Sequence, residues 1–302
     1  MKIRVGAVSR NYFNMPLWVA QDRGLFARHG LDVELHLIEA IDEVTGRLAA
    51  GDLQIDLGVT ENVILECERG GSLVIVGGNV NRLPFSLMAR PGIRSIAELK
   101  GARIGVSSVE AGSSSLVMRM LAEHGLHHPQ DYRLLPVGPI LARWRLLQSG
   151  EIDAGLQGAP MNRIAAAAGF SDLGSPRDLF PDFQFTSVNV ERGWAQVNRP
   201  AVVAFLRAWI EAHRWLLAHR EESRAVAARE ASLSADEADI AWDEMVAGGI
   251  FPLDGRAGVA AVQTLIEVSA LIRALPGRAA LRAETYIDGS FVDAAEAGLP
   301  AT

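Results

Sequence analysis

The chain states one structural plan twice. FARHGLDVELHLI at 26–38 is echoed by LAEHGLHHPQDYRLLPV at 121–137, and RLAAGDLQIDLGVTENV at 47–63 by RLLQSGEIDAGLQGAPM at 145–161. Each copy reads as a helix, a His-Gly-Leu stop, a strand, a helix, a Gly-acid turn and a strand running into a new helix start. Such duplication predicts two α/β lobes on one plan. The competing explanation is that similar α/β units share glycine helix stops by coincidence. A length of 302 residues already exceeds the usual size of one domain.

The alternation extends over the first two thirds of the chain. Short β-rich runs predict strands at 3–8, 33–38, 55–59, 73–76, 86–89, 104–106, 132–137, 153–157 and 185–190. Helical spacing of apolar residues between them predicts helices at 16–26, 43–50, 62–68, 114–124, 141–148 and 161–168. Mostly parallel sheets covered by helices follow. From Pro200 the pattern turns wholly helical, with a capping-box register at Ser234 and Glu237 and a third apolar helix over 257–275. This tail reads as a brace rather than a separate domain.

Composition narrows the function. A formal net charge of −7 argues against a nucleic-acid binder. The single cysteine, Cys67, excludes an intramolecular disulfide and a thiolate cluster, and its surroundings predict a core thiol. No run reaches the roughly 18 apolar residues of a membrane span, and MKIRVGAVSR reads as a strand without the apolar stretch of a signal peptide. The chain is therefore expected in the cytoplasm if Met1 is the native start, or in the periplasm if a leader was trimmed.

In open α/β sheets, ligands gather at the carboxyl ends of the strands. After the first strand, SRNYFNMP offers Arg10, Asn11, Tyr12 and Asn14. After the third come Thr60, read as a helix N-cap, then Glu61 and Asn62, with Gly158, Ala159 and Pro160 as their counterparts in the second lobe. In GGNVNRLPFSLMAR, Gly77 and Gly78 permit unusual dihedrals, and Asn79, Asn81 and Arg82 stand where the chain should pass between lobes. Arg82 suits a carboxylate or sulfonate, unless it is a plain surface arginine. RIGVSSVEAGSSSLVMRML places Ser107, Ser108 and Gly112 to Ser115 at a strand end and a helix start, a cradle for an anion.

Enzyme motifs are missing from that cradle: there is no G-x-x-x-x-G-K-[ST], no G-x-G-x-x-G and no G-x-S-x-G. His29 and His124 each precede a helix-stopping glycine, and His213 and His219 are six residues apart on one helix, poor geometry for a shared metal. Trp18, just behind the first loop, is the tryptophan nearest the expected site.

PLWVAQDRGLFARHGLDVEL, RLAAGDLQIDLGV, RSIAELKGARIGV and GSSSLVMRMLAEHGL, in this order, resemble the solute-binding proteins of ABC importers. The chain is most similar to the group that binds aliphatic sulfonates, taurine and thiamine pyrimidines, over roughly residues 1–295. The resemblance implies a type II periplasmic-binding-protein fold: two α/β lobes, a central cleft and a helical C-terminal brace. One lobe would hold 1–84 and 191–302, the other 85–190, joined by two crossing strands.

It also implies ligand contacts from Arg10, Asn11, Tyr12 and Asn14; Thr60, Glu61 and Asn62; Asn81 and Arg82; Ser107, Gly112, Ser113 and Ser114; and Gln157 and Pro160. A small anionic or amide-bearing solute, an ABC permease as partner, no cofactor or metal, no nucleic acid and a monomeric chain complete the expectation. Two features depart from the family. No export signal is visible, and the cysteines of its enzyme members are absent: the first-strand loop reads NYFNMP where desulfinases carry one. A cytoplasmic decarboxylase or desulfinase acting on an aromatic acid is the alternative; a sensor that has lost its transporter is a weaker third.

Overall fold

Among the described residues, ten strands form two separate five-stranded sheets, and both sheets have the same layout. The computed structural model describes residues 1–109, 112–272 and 282–300. The strands are β1 (Lys2–Val8), β2 (Asp32–Ile38), β3 (Ile55–Val59), β4 (Leu73–Val80), β5 (Phe85–Ala89), β6 (Arg103–Val106), β7 (Arg133–Pro136), β8 (Ala154–Gly158), β9 (Ser171–Asp172) and β10 (Thr186–Glu191).

In the first sheet the order is β2-β1-β3-β10-β4, and only β10 runs antiparallel to its neighbours. In the second it is β7-β6-β8-β5-β9, where β5 runs antiparallel to its neighbours and β6 pairs in parallel with β7 and β8. The echoed segments thus fall on matching places: β2 and β7 at one edge, β3 and β8 inside.

Helices cover the sheets. Those of the first two thirds are α1 (Met15–Asp22), α2 (Leu25–Arg28), α3 (Ile41–Ala49), α4 (Thr60–Glu68), α5 (Ser113–Ala122), α6 (Ile140–Ser149) and α7 (Met161–Ala167). The rest are α8 (Arg192–Val197), α9 (Arg199–Ala218), α10 (Arg220–Ala231), α11 (Ala235–Trp242), α12 (Val259–Ser269) and α13 (Ser290–Glu296), with a π-helical turn at Asp243–Ala247. The helix expected over 16–26 is broken at Gly24, whose φ of +64° starts α2. The one expected over 257–275 is seen as α12, and residues 273–275 lie outside the described residues. Ser234 and Glu237 form the anticipated capping box of α11.

The chain crosses between sheets twice, from β4 into β5 and from β9 into β10. A boundary at 190 placed residues 186–190 in the second lobe. These residues instead pair with β3 and β4, so the return comes between Asp172 and Thr186. Pairing between distant strands is invisible to local periodicity.

The C-terminal helices return to the first sheet. α9 packs on α1, α2 and α13, and the segment at 250–256 covers the β4 edge. An uncovered edge would invite pairing with another chain. Here Gly78 N–H donates to the Gly255 carbonyl at 2.8 Å and Asn81 N–H to the Ile250 carbonyl at 3.0 Å, while Trp209 Nε1 donates to the Gly78 carbonyl at 2.9 Å. Gly77 and Gly78 therefore serve close backbone approach, and neither adopts a left-handed conformation. Cys67 is half-buried, its Sγ 3.1 Å from the Leu73 carbonyl, and burial pushes the thiol up to about 11. Among the described residues no helix is long and apolar enough to cross a membrane, and no group of three or more His, Cys, Asp or Glu is placed to hold a metal.

Candidate functional site

Just after β1 the chain turns sharply. Buried Ser9 holds φ at +53°, in the left-handed region that a side-chain-bearing residue seldom occupies. Two asparagines knit the following loop. Asn11 Nδ2 donates to the Val8 carbonyl at 3.0 Å, its Oδ1 accepts from Phe13 N–H at 2.9 Å, and Asn14 Nδ2 donates to the Ser9 carbonyl at 2.6 Å. The loop presents Phe13, whose carbonyl accepts from Asn79 Nδ2 of β4 at 3.2 Å.

Phe13 meets Phe85 and Phe185, one ring beside each passage between the sheets. Centroid separations are 5.8 Å for Phe13–Phe85, 6.0 Å for Phe13–Phe185 and 4.9 Å for Phe85–Phe185, all edge to face. Gly158, at the end of β8, lets Ile140 and the rings pack close against its backbone. A Cβ there would lie 3.0 Å from Ile140 Cδ1, 3.3 Å from Phe85 and 3.5 Å from Phe13.

These rings form one wall of a slot between the two sheets, completed by Val8, Asn11, Asn14, Ile41, Leu57, Val59, Asn79, Ser107, Pro139, Ile140, Arg143 and Thr186. The centre of a water molecule can roam over about 40 Å³ of it, room for a few waters. Anything as large as a ring enters only when the walls part.

The second lobe supplies Arg143, from the first turn of α6. Its neighbours on the helix, Ile140, Trp144 and Leu147, are buried, and so is its own side chain, 2 % exposed. Arg143 Nε donates to the Leu156 carbonyl at 3.0 Å, and Nη1 to the Gly138 carbonyl at 3.2 Å and Ser113 Oγ at 3.4 Å. No carboxylate pairs with it among the described residues. Burial pushes the guanidinium down to about 10, so it remains a cation at neutral pH. Ser107 and Ser113 hold one another beside it: Ser107 N–H donates to Ser113 Oγ at 2.9 Å and Ser113 N–H to Ser107 Oγ at 3.2 Å.

The anticipated anion cradle has an occupant. Glu61, buried in the first turn of α4, reaches across and accepts the Gly112 N–H at 2.8 Å. Residues 110 and 111 of that loop lie outside the described residues. A buried polar ladder fixes the start of α4: Thr60 Oγ1 donates to Ser187 Oγ (2.9 Å), Ser187 Oγ to Asn189 Oδ1 (2.6 Å) and Asn189 Nδ2 to Asp56 Oδ1 (2.7 Å). Thr60 is therefore not the N-cap; Val59 takes that place while the hydroxyl turns to β10. A second bridge lies at α7, where Asn162 Nδ2 donates to both Glu244 oxygens, at 2.9 and 3.1 Å. Glu61→Ala is expected to cost about 1.5–3 kcal/mol in thermal or urea unfolding, as a charge-assisted hydrogen bond is lost. Unchanged melting would show that the contact adds nothing to stability.

Of the residues expected at the site, Asn11, Asn14 and Ser107 line the slot, and Ser113 touches it through Arg143. Arg10 points away, donating to the Glu230 carbonyl and lying 3.4 Å from its carboxylate. Tyr12 is buried outside the slot lining, where burial first and then the Asp239 carboxylate hold its phenol above the ordinary value. Asn62 ties to the Ile41 carbonyl and Asp42, and Asn81 to the Arg256 carbonyl and Gln184.

Arg82 is exposed in a separate groove with Asp182, Gly249 and Asp254. With its amide oriented to satisfy both ends, Gln157 serves the α6 backbone, donating to the Ile140 carbonyl and accepting from Trp144 N–H. Ser114 and Pro160 are buried and outside the slot lining, as is Trp18. Sequence reasoning missed Phe13, Phe85, Phe185, Thr186 and Arg143. The last left a signal, a charge on the apolar stripe of 140, 144 and 147.

A binding protein of Brucella abortus (strain 2308) is 27 % identical over 243 residues, covering 79 % of this chain and 73 % of that protein. The 4-amino-5-hydroxymethyl-2-methylpyrimidine phosphate synthase of Schizosaccharomyces pombe is 26 % identical over 168 residues, 55 % of this chain and 47 % of that protein. Among solved structures, the alkanesulfonate-binding protein SsuA of Xanthomonas axonopodis pv. citri, bound to MOPS, superposes with a TM-score of 0.77 at 19 % identity, covering 95 % of this chain and 97 % of that one. The fold is the type II periplasmic-binding-protein fold. With the NMT1/THI5 like family model matched over residues 11–223, the chain belongs to that family.

Proposed function

We propose that this chain is the solute-binding component of an ABC-type importer, holding one small organic molecule between its lobes without changing it. The first lobe carries β1–β4 and β10 and the second β5–β9, with the hinge at the two passages between sheets. One observation carries the reading: the slot at the strand ends is lined by amides, hydroxyls, three phenyl rings and a guanidinium. That set recognises a molecule by shape, hydrogen bonds and charge. Its narrowness means that entry needs the lobes to part and retention needs them to close.

The relative named as a binding protein and the alkanesulfonate-binding structure support this reading. An ABC permease is then the partner, and the work is done on the outer side of the cell membrane. The pyrimidine phosphate synthase relative favours a second reading, an enzyme of the same fold. The lining weighs against it: Ser107 and Thr186 offer hydroxyls, but among the described residues lining the slot there is no carboxylate, imidazole, thiol or amine to activate them.

A thermal-shift screen of sulfonates, aromatic carboxylates and pyrimidines, followed by mass spectrometry of the solute, separates the two. A binder present at a hundred times its Kd should stabilise the chain by about 2.7 kcal/mol and be recovered intact, one per chain. A converted solute would establish the enzyme instead.

A further inference from the structure

We infer that Arg143 is the anchor for the charged group of the solute, and that the solute is an organic anion with an apolar body. The inference rests on the solute-binding reading and gives the ligand its chemical class.

Arg143 is a cation sealed from solvent, lining the slot, with two backbone carbonyls and one hydroxyl as its partners among the described residues. Neutral dipoles offset only part of the cost of burying a charge, and buried charges are ordinarily paired. A ligand anion supplies the missing partner, and the fork of the guanidinium suits a planar carboxylate or a sulfonate.

The Ser/Gly helix start, the other candidate for anion binding, already receives the Glu61 carboxylate at the Gly112 N–H. That N–H is taken, which leaves, among the described residues, the Arg143 guanidinium as the cation of the slot lining. Ile140, one turn before Arg143, packs against Gly158 with Phe13 and Phe85, and all three line the slot. A ligand held at the guanidinium therefore has an apolar wall for its body. Asn79 Oδ1 and Thr186 Oγ1, buried and without hydrogen-bond partners, add places where a polar ring substituent gains a contact.

Calorimetry of the whole chain with benzoate, benzenesulfonate, benzamide and sodium nitrate tests this. At least one of the two organic anions should bind one per chain, with benzamide and nitrate at least about 30-fold weaker. Arg143→Gln should weaken the organic anion by a similar factor and leave benzamide unaffected. If that variant fails to fold, the benzoate–benzamide comparison on the unmodified chain decides.

Four results would each overturn the inference: no binding of either organic anion, benzamide as tight as benzoate, nitrate as tight as both, or anion affinity untouched in Arg143→Gln. A neutral aminopyrimidine that binds intact and closes the lobes, without preference for anions, would overturn it while leaving the solute-binding reading standing. Consumption of a probe would overturn that reading itself.

Discussion

Asp56→Asn should make the protein more stable at pH 8 and nearly unchanged at pH 4. Asp56 lies fully buried in β3, and burial raises its carboxyl from the ordinary 3.8 to about 7 against the opposing pull of Asn189 and the Gly58 N–H. Its Oδ2 has no hydrogen-bond partner. In the unfolded chain the group ionises near its ordinary value, so between about pH 4 and pH 7 the folded state binds more protons than the unfolded one. Stability then falls as pH rises through that window and levels off above it.

The gap between 3.8 and about 7 corresponds to roughly 4 kcal/mol at pH 8, an upper figure for a buried group. Asparagine keeps an oxygen to accept from Asn189 and is neutral at every pH, so it removes this loss. Urea unfolding of both proteins from pH 4 to pH 8 should show their difference growing with pH. A constant difference would mean that Asp56 is ionised in the folded protein throughout.

Gly78→Ala should destabilise the chain by about 3 kcal/mol or more, combining overpacking with disturbed buried hydrogen bonds. A Cβ on Gly78 would sit 2.2 Å from the Arg256 carbonyl oxygen and 2.8 Å from its carbon, and backbone cannot swing aside as a side chain can. The methyl group would lift the 250–256 segment from the β4 edge and strain the bonds from Gly78 N–H to Gly255 and from Trp209 to Gly78. Gly77→Ala is the milder comparison, its nearest atoms at 3.0 Å. Gly46→Ala, in helix α3 with nothing within 4 Å, should instead gain up to about 1 kcal/mol. If Gly78→Ala melts like the unmodified chain, the C-terminal segment is not tightly seated on that edge.

Local signals were enough for the elements. Alternating and β-branched runs marked nine of the ten strands, missing two-residue β9, and the echo anticipated that β2 matches β7 and β3 matches β8. What failed was long-range. Thr60 has the chemistry of an N-cap, but its hydroxyl finds Ser187, 127 residues away in sequence, on an adjacent strand. Residues 185–190 were legible as a strand, yet their sheet depends on partners that periodicity does not reveal.

The site divided in the same way. Asn11, Asn14 and Ser107 follow from strand-end logic and do line the slot, whereas Arg10 is drawn off to Glu230 on the C-terminal brace. Phe13, Phe85 and Phe185 look like ordinary core residues in one dimension, and only the two chain passages bring them together. Arg143 broke a local rule, a charge on a buried stripe. Such a break is where function tends to show through a sequence.

The central claim is that the lobes close on a solute that leaves unchanged. Small-angle X-ray scattering of the whole chain, with and without the tightest compound from the thermal-shift screen, measures closure directly, and the same samples can be assayed for the intact solute. A smaller radius of gyration on binding, at one solute per chain and with the solute recovered chemically unaltered, is the predicted result. Tight binding with no change in the radius of gyration, or a solute converted to product, would contradict the account.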